Sequence, residues 1–185
     1  MGRLILETQR LLLREFEEGD AATIYILGSD PAITRYTGDP GGGLRSVEHA
    51  SEVLRSHLLA DYREYGFGRW ACVLKQSSAV VGFAGLKRLP ELGEVDIGYR
   101  FLPVHWGTGL ATEAGRAVLR YGFETLGLRR VIGLVEPKNA ASIRVLEKLG
   151  LRPDGLVEYG GKRVSRYVIE ADQGAAPDGR SFQAD

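Results

Sequence analysis

The stretch with the clearest chemistry is Trp106-Gly107-Thr108-Gly109-Leu110-Ala111-Thr112. An apolar run stops just before it at Pro103, and a helical pattern starts within it at Leu110, so it reads as a strand–turn–helix corner. Gly107, Gly109 and Ala111 place almost no side chain over the turn. The first amides of a helix have no acceptor inside it and carry the positive end of its dipole, so a bare corner of this kind suits a phosphate. Glu113 adds a carboxylate to the first turn, a further sign of a helix start. Two familiar phosphate loops do not fit. A Gly-x-Gly-x-x-Gly/Ala loop needs a small residue where Thr112 stands, and the only Gly-Lys pair, Gly161-Lys162, is followed by Arg163 where a Walker loop needs Ser or Thr. From the loop alone, a corner that holds no ligand stays open.

The run Trp106 to Ala111 resembles the Gln/Arg-x-x-Gly-x-Gly/Ala pyrophosphate loop of the GNAT N-acetyltransferases. The longer pattern Gly98-Tyr99 … Trp106-Gly107-x-Gly109-x-Ala111-Thr112-Glu113-Ala114 resembles their RimJ/RimL-like branch, which acetylates protein N-termini or small amines. Trp106 departs from the general Gln/Arg but is common in that branch. Asn139-Ala140-Ala141-Ser142 … Leu146-Glu147-Lys148-Leu149-Gly150 resembles the family's later Asn-x-x-Ser … Glu-Lys-x-Gly-Phe motif. Two blocks in the right order are more specific than either alone. The likeness spans roughly 7–170 and is strong over 93–151. It implies an α/β domain whose mixed seven-stranded sheet splays between its fourth and fifth strands, with coenzyme A in the gap. It also implies transfer of acetyl from acetyl-CoA to a primary amine by direct attack. The alternative is a coenzyme A-binding or sensing protein that keeps the fold without catalysis.

Such a transfer must hold the thioester, neutralise the amine, and stabilise the oxyanion and the departing thiolate. The resemblance assigns the coenzyme to main-chain groups of Phe101, Leu102 and Val104, to the corner Trp106, Gly107, Thr108, Gly109, Leu110, Ala111 and Thr112, and to Asn139 and Ser142. It expects the oxyanion at amides near Phe101 and Leu102. Candidate bases are Asp96, which fills the place of an acid before Ile-Gly-Tyr in the branch, then Glu94 two residues earlier on the same strand face, and Glu136 after the opposing strand. Many relatives protonate the thiolate with a Tyr where this chain has Leu146, so Ser142 is left as the hydroxyl donor. His105 reads as a rim residue. Each of these has a plainer reading: a solvated charge for a carboxylate, a helix cap for Asn139, a first-turn serine for Ser142, a packed indole for Trp106.

The rest of the chain must position these groups. Its 185 residues fit one domain, expected over 1–171, with a disordered tail over 172–185 where apolar groups are few. Net charge is zero, which offers no global field for nucleic acid or anionic membrane. Cys72 is the single cysteine and reads as a buried small hydrophobe, so no intrachain disulfide forms. No signal peptide, myristoylation pattern or membrane span is visible, and a cytoplasmic location is expected. His49 and His57 are eight apart with no Cys or third His nearby, so no metal site is expected. A homodimer suits the resembled branch.

Strands are expected at 11–16, 69–75, 79–86, 94–102, 130–135, 156–159 and 164–170. Asp20 is expected to cap a helix through Leu27, and Ser46 one through Tyr65 whose buried stripe is Val47, Ala50, Leu54, Leu58, Tyr62 and Tyr65. Further helices are expected over 110–126 and 139–149. The loop 30–43, with Pro40 and three glycines, is expected to help wall the acceptor pocket, as in the resembled family. Helices alternating with strands around central hairpins argue for a mixed sheet.

Overall fold

A computed structural model describes residues 2–37 and 43–171. The strands are β1 (Leu4–Glu7), β2 (Leu11–Arg14), β3 (Arg69–Leu74), β4 (Ala79–Leu89), β5 (Glu94–Phe101), β6 (Arg130–Val135), β7 (Arg152–Tyr159) and β8 (Lys162–Glu170). They form one eight-stranded sheet in the order β1-β2-β3-β4-β5-β6-β8-β7. The helices are α1 (Ala21–Ser29), α2 (Pro31–Thr34), α3 (Val47–Val53), α4 (Leu59–Tyr65), α5 (Leu110–Glu124) and α6 (Ala140–Lys148). The expected seven strands are corrected to eight by β1, which pairs antiparallel with β2 at the sheet's edge. Its four residues are too few for a period to show. The expected tail at 172–185 and the glycines at 41 and 42 lie outside the described residues.

Alternation along the strands builds two cores. Leu11, Leu13, Trp70, Cys72, Leu86 and Ile97 pack on one face of the sheet against Ala114 and Val118 of α5. Phe16, Ala71 and Phe83 face the other way, toward Ile24 and Leu27 of α1, Ala50 of α3 and Leu54. Burying both faces explains why these strands are nearly continuous in apolar residues.

One pair of neighbours is parallel, β5 and β6, and its ladder registers at a single point, Asp96 opposite Ile132. Every other pair is antiparallel and carries at least three register pairs. The sheet is therefore joined near the start of β5 and parted toward its end. Counted from Leu11, the parting lies between the fourth and fifth strands.

The expected helix from Ser46 to Tyr65 is interrupted by a π-helical turn at Leu54–Leu58. Ser46 does cap it, its hydroxyl accepting from the His49 amide at 3.2 Å. In a regular α-helix residues four apart drift by about 40° per step. The wider π turn offsets that drift, and His49, Val53, His57 and Asp61 all reach one cleft. The predicted stripe holds from Ala50 through Leu54, Leu58 and Tyr62, which are buried or packed on the cores, but Val47 at the helix start is 39% exposed.

Asp20 is also reassigned. It makes no side-chain cap to α1. Both its oxygens instead meet the Arg14 guanidinium, at 2.7 and 2.8 Å, and one accepts the Glu17 amide at 2.9 Å. Arg14 and Asp20 are both buried, and a buried guanidinium needs a counter-charge more than a helix end needs a cap. Asp20→Ala, which leaves the buried Arg14 only the longer contact to Glu17 at 3.8 Å as a counter-charge, should lower unfolding free energy in urea by about 3 kcal/mol. An unchanged midpoint would contradict this.

Candidate active site

Beyond Asp96 the amide of Leu134 on β6 has lost its strand partner, and the Asp96 carboxylate takes its place, Oδ1 accepting from Leu134 N–H at 3.0 Å. Oδ2 meets the Arg69 guanidinium at 3.0 Å. Asp96 is 5% exposed. Burial pushes its carboxyl above the usual range, against the pull of Arg69 and the Leu134 amide. Arg69 itself lies against Phe83, 5.6 Å from the ring centroid, and over Gly98, where a Cβ would stand 2.6 Å from its Nε. Gly98 is thus the residue that admits the guanidinium.

The corner opens at the start of α5. Gly107 and Gly109 have φ of 74° and 85°, in the left-handed region that favours glycine. A Cβ at Gly107 would meet nothing within 4 Å, and one at Gly109 only Arg10 Nη2 at 3.6 Å. The cradle is bare, as the sequence suggested. Its support was not legible. Glu113 accepts from the Thr8 hydroxyl (2.7 Å), the Arg10 amide (2.8 Å) and Arg10 Nε (2.7 Å), while Arg10 Nη1 donates to the Thr108 carbonyl at 2.9 Å. The turn between β1 and β2 is thereby latched to the corner. Burial opposes the charge on Glu113, but the Thr8 hydroxyl, the Arg10 amide and the Arg10 guanidinium together hold its carboxyl below the usual range.

Leu102 N–H donates to the Val81 carbonyl at 3.0 Å, the Leu102 carbonyl accepts from His105 N–H, and the Phe101 carbonyl accepts the Trp106 indole N–H at 2.7 Å. Main-chain groups alternate sides along a strand. With Leu102 turned to β4, the groups of Tyr99 and the amide of Phe101 face the parting. Leu102 is therefore corrected from donor to sheet member. Trp106, 51% exposed, braces the corner through its indole, and Val104 is 79% exposed beside it.

Across the parting, Asn139 caps α6, its Oδ1 accepting from Ser142 N–H at 3.1 Å. The Tyr99 phenol lies 3.0 Å from the Ser142 carbonyl and 3.1 Å from its Oγ. A cleft of about 720 Å³ brings together Asp96, Tyr99, Glu136, Asn139 and Ser142 with Tyr36, His49, His57 and Asp61 from the helical side. Glu94 does not line it. Its Oε1 accepts Arg130 Nε at 3.2 Å at the joined end of β5 and β6. His105 stays on the shoulder of the corner. Tyr99, Arg69 and the two histidines were missed as site residues. A tyrosine among apolar alternants, and a charge at the head of an apolar run, were the available signals. Among the described residues no group of three or more His, Cys, Asp or Glu is gathered for a metal ion, and no helix is long and apolar enough to cross a membrane.

A mixed sheet parted at its one parallel pair, with a bare glycine corner at the mouth of the parting, is an acetyltransferase architecture. Residues 10–152 match the family model described as acetyltransferase (GNAT) domain, and the chain belongs to that family. It is 34% identical over 154 residues to the uncharacterized N-acetyltransferase YoaA of Bacillus subtilis, covering 83% of this chain and 85% of that protein. Among solved structures it is similar to an acetyltransferase from Agrobacterium tumefaciens, with TM-score 0.77, 26% identity, and 90% of this chain and 94% of that one covered. An aminoglycoside acetyltransferase solved in complex with coenzyme A shares the fold at TM-score 0.70 and 19% identity, over 85% of this chain and 93% of that one.

The latch carries a pH signature. Because Glu113's carboxyl is held low, its stabilisation is fully present above the ordinary glutamate value of about 4.3 and is lost as pH falls through the folded value. The Tm gap between wild type and Glu113→Gln should be constant from pH 7 to about 5 and close on further acidification. A gap that widens in acid would contradict the latch.

Proposed function

We propose that this chain is an acetyl-CoA-dependent N-acetyltransferase of the RimJ/RimL-like branch that acetylates a primary amine by direct attack. The observation that carries the reading is the bare corner at Gly107 to Thr112 opening beside a parted sheet. Amides of the first turn of α5 receive the diphosphate, and Gly107 and Gly109 give it room. The Tyr99 main chain and the Phe101 amide, facing the parting, line the path of the pantetheine arm and meet the carbonyl oxygen. Asn139 and Ser142 close the other side.

Acetyl-CoA supplies the activated acetyl group. The acceptor enters from the side of Tyr36, His49 and Asp61. Asp96 takes its proton, directly or through water. Burial raises that carboxylate's proton affinity, as a base needs, and after its two bonds it keeps lone pairs free. Glu136, also on the cleft, is the second candidate, and Glu94, which lies outside the cleft beside Arg130, is set aside.

One observation favours a second reading, a coenzyme-binding protein without catalysis: both Asp96 oxygens are already bonded. Titrating acetyl-CoA with and without a panel of amines, while following free thiol, separates the two. Amine-dependent thiol release supports the enzyme, whereas tight binding with no release across the panel supports the sensor. Gly109→Glu should abolish acetyl-CoA binding, because it puts a carboxylate where the diphosphate belongs, and retained micromolar affinity would remove the corner from the reading. The rate should fall on the acid side with an apparent pKa above the ordinary Asp value of about 3.9, since the base must be ionised. Asp96→Asn should lower kcat about 100-fold and remove that limb.

A further inference from the structure

Two side chains span the parting. Asp96 reaches Leu134 on β6, and Tyr99, pointing to the opposite face, reaches Ser142 in the first turn of α6. The second contact is double, 3.0 Å to the Ser142 carbonyl and 3.1 Å to its hydroxyl. Ser142's amide is meanwhile held by Asn139 at 3.1 Å. The residue is pinned at nitrogen and at carbonyl oxygen, and only its hydroxyl proton is free to turn. A phenol has one proton and two lone pairs, and so has a serine hydroxyl. The pair therefore has two settings. In one the phenol donates to the carbonyl and the serine donates to the phenol. In the other the phenol donates to Oγ and the serine proton points into the cleft.

Among the described residues Ser142 is the only hydrogen-bonding partner of the Tyr99 hydroxyl. Burial, with Asp96 nearby, pushes the phenol above its ordinary range, so it stays protonated wherever a thioester reacts with an amine. Leu146, one turn further along α6, is 2% exposed, belongs to the core and offers no hydroxyl.

We propose that Tyr99 is the positioning residue for the leaving group, switching its hydrogen bond from the Ser142 carbonyl to the Ser142 hydroxyl as the sulfur departs. This rests on the acetyl-CoA reading above. The acceptor nitrogen's lone pair forms the C–N bond, the C–S bond breaks, and its electron pair leaves on sulfur. The nitrogen's proton goes to Asp96. Ser142 O–H turns from the phenol to the thiolate, and the phenol donates to Ser142 Oγ, strengthening the bond to sulfur. No proton leaves Tyr99.

The plainer role for Tyr99 is to hold α6 against the sheet, and a double-mutant cycle distinguishes the two. Wild type, Tyr99→Phe, Ser142→Ala and the double variant are compared for kcat, by thiol release at saturating amine, and for coenzyme A affinity, by calorimetry. Tyr99→Phe should lower kcat about tenfold while affinity stays within about twofold, and in the Ser142→Ala background it should change kcat by less than about twofold. Ser142→Thr, which keeps the hydroxyl beside Tyr99, should retain most of the rate that Ser142→Ala loses. Equal factors for Tyr99→Phe in both backgrounds, an affinity loss as large as the rate loss, or a Ser142→Thr rate as low as that of Ser142→Ala would each overturn the proposal. A wild-type chain that binds no coenzyme A would overturn the proposed function itself, whereas normal turnover with an additive cycle would overturn only the part given to Tyr99.

Discussion

The structure depends on the failure of β5 and β6 to stay paired after Asp96. A parallel pair normally continues for the length of its strands, because each unpaired buried amide is costly. Here the ladder stops after one register pair, and side chains take over what the main chain gives up. Asp96 accepts the stranded Leu134 amide, and Tyr99 bonds to Ser142 further along. The result is a gap bridged by two side chains, with edge amides at Tyr99 and Phe101 facing inward. A gap of this kind can receive an extended arm without unfolding anything.

The corner depends on a separate piece of chain. The bare turn at Gly107 and Gly109 has few side chains of its own to stiffen it, the Trp106 indole and the Thr108 hydroxyl each bonding a nearby carbonyl. Further stiffness comes from Arg10 and Thr8, about a hundred positions earlier, through Glu113 and the Thr108 carbonyl. β1 and β2 therefore contribute more than an edge to the sheet. They present the turn that latches the corner, which ties the first residues of the chain to the shape of the glycine turn.

The helical wall shows how local irregularity serves the cleft. A regular helix from Ser46 to Tyr65 would spiral its polar residues away from the parting. The π turn at Leu54–Leu58 keeps His49, Val53, His57 and Asp61 on it. Opposite them, Arg69 lies over Gly98 and neutralises Asp96. Cations and carboxylates alternate around the helical side of the cleft, with Lys87 and Arg69 near Asp61, so the cleft is polar without being uniformly acidic.

Much of this was legible in the residues. Glycine spacing at 107 and 109, alternation along 94–101, the helical period from Leu110 and the Asn139 cap are local properties, set by backbone freedom and side-chain period within a few residues, and they carried the fold and the family. What stayed hidden involves partners far apart in the chain or conditions local rules do not contain. β1 needed β2 beside it to be a strand. Asp20 looked like a cap until Arg14 was folded in next to it. Leu102 looked available until β4 claimed its amide. Glu94 and Asp96 share a strand face and a charge, yet Arg130 holds one at the joined end while the other lies in the cleft. Sequence by itself determined which candidate carboxylates, hydroxyls and glycine turns this chain has. Only the tertiary structure decided which of them line the cleft, because that depends on packing between segments that the order of residues leaves far apart.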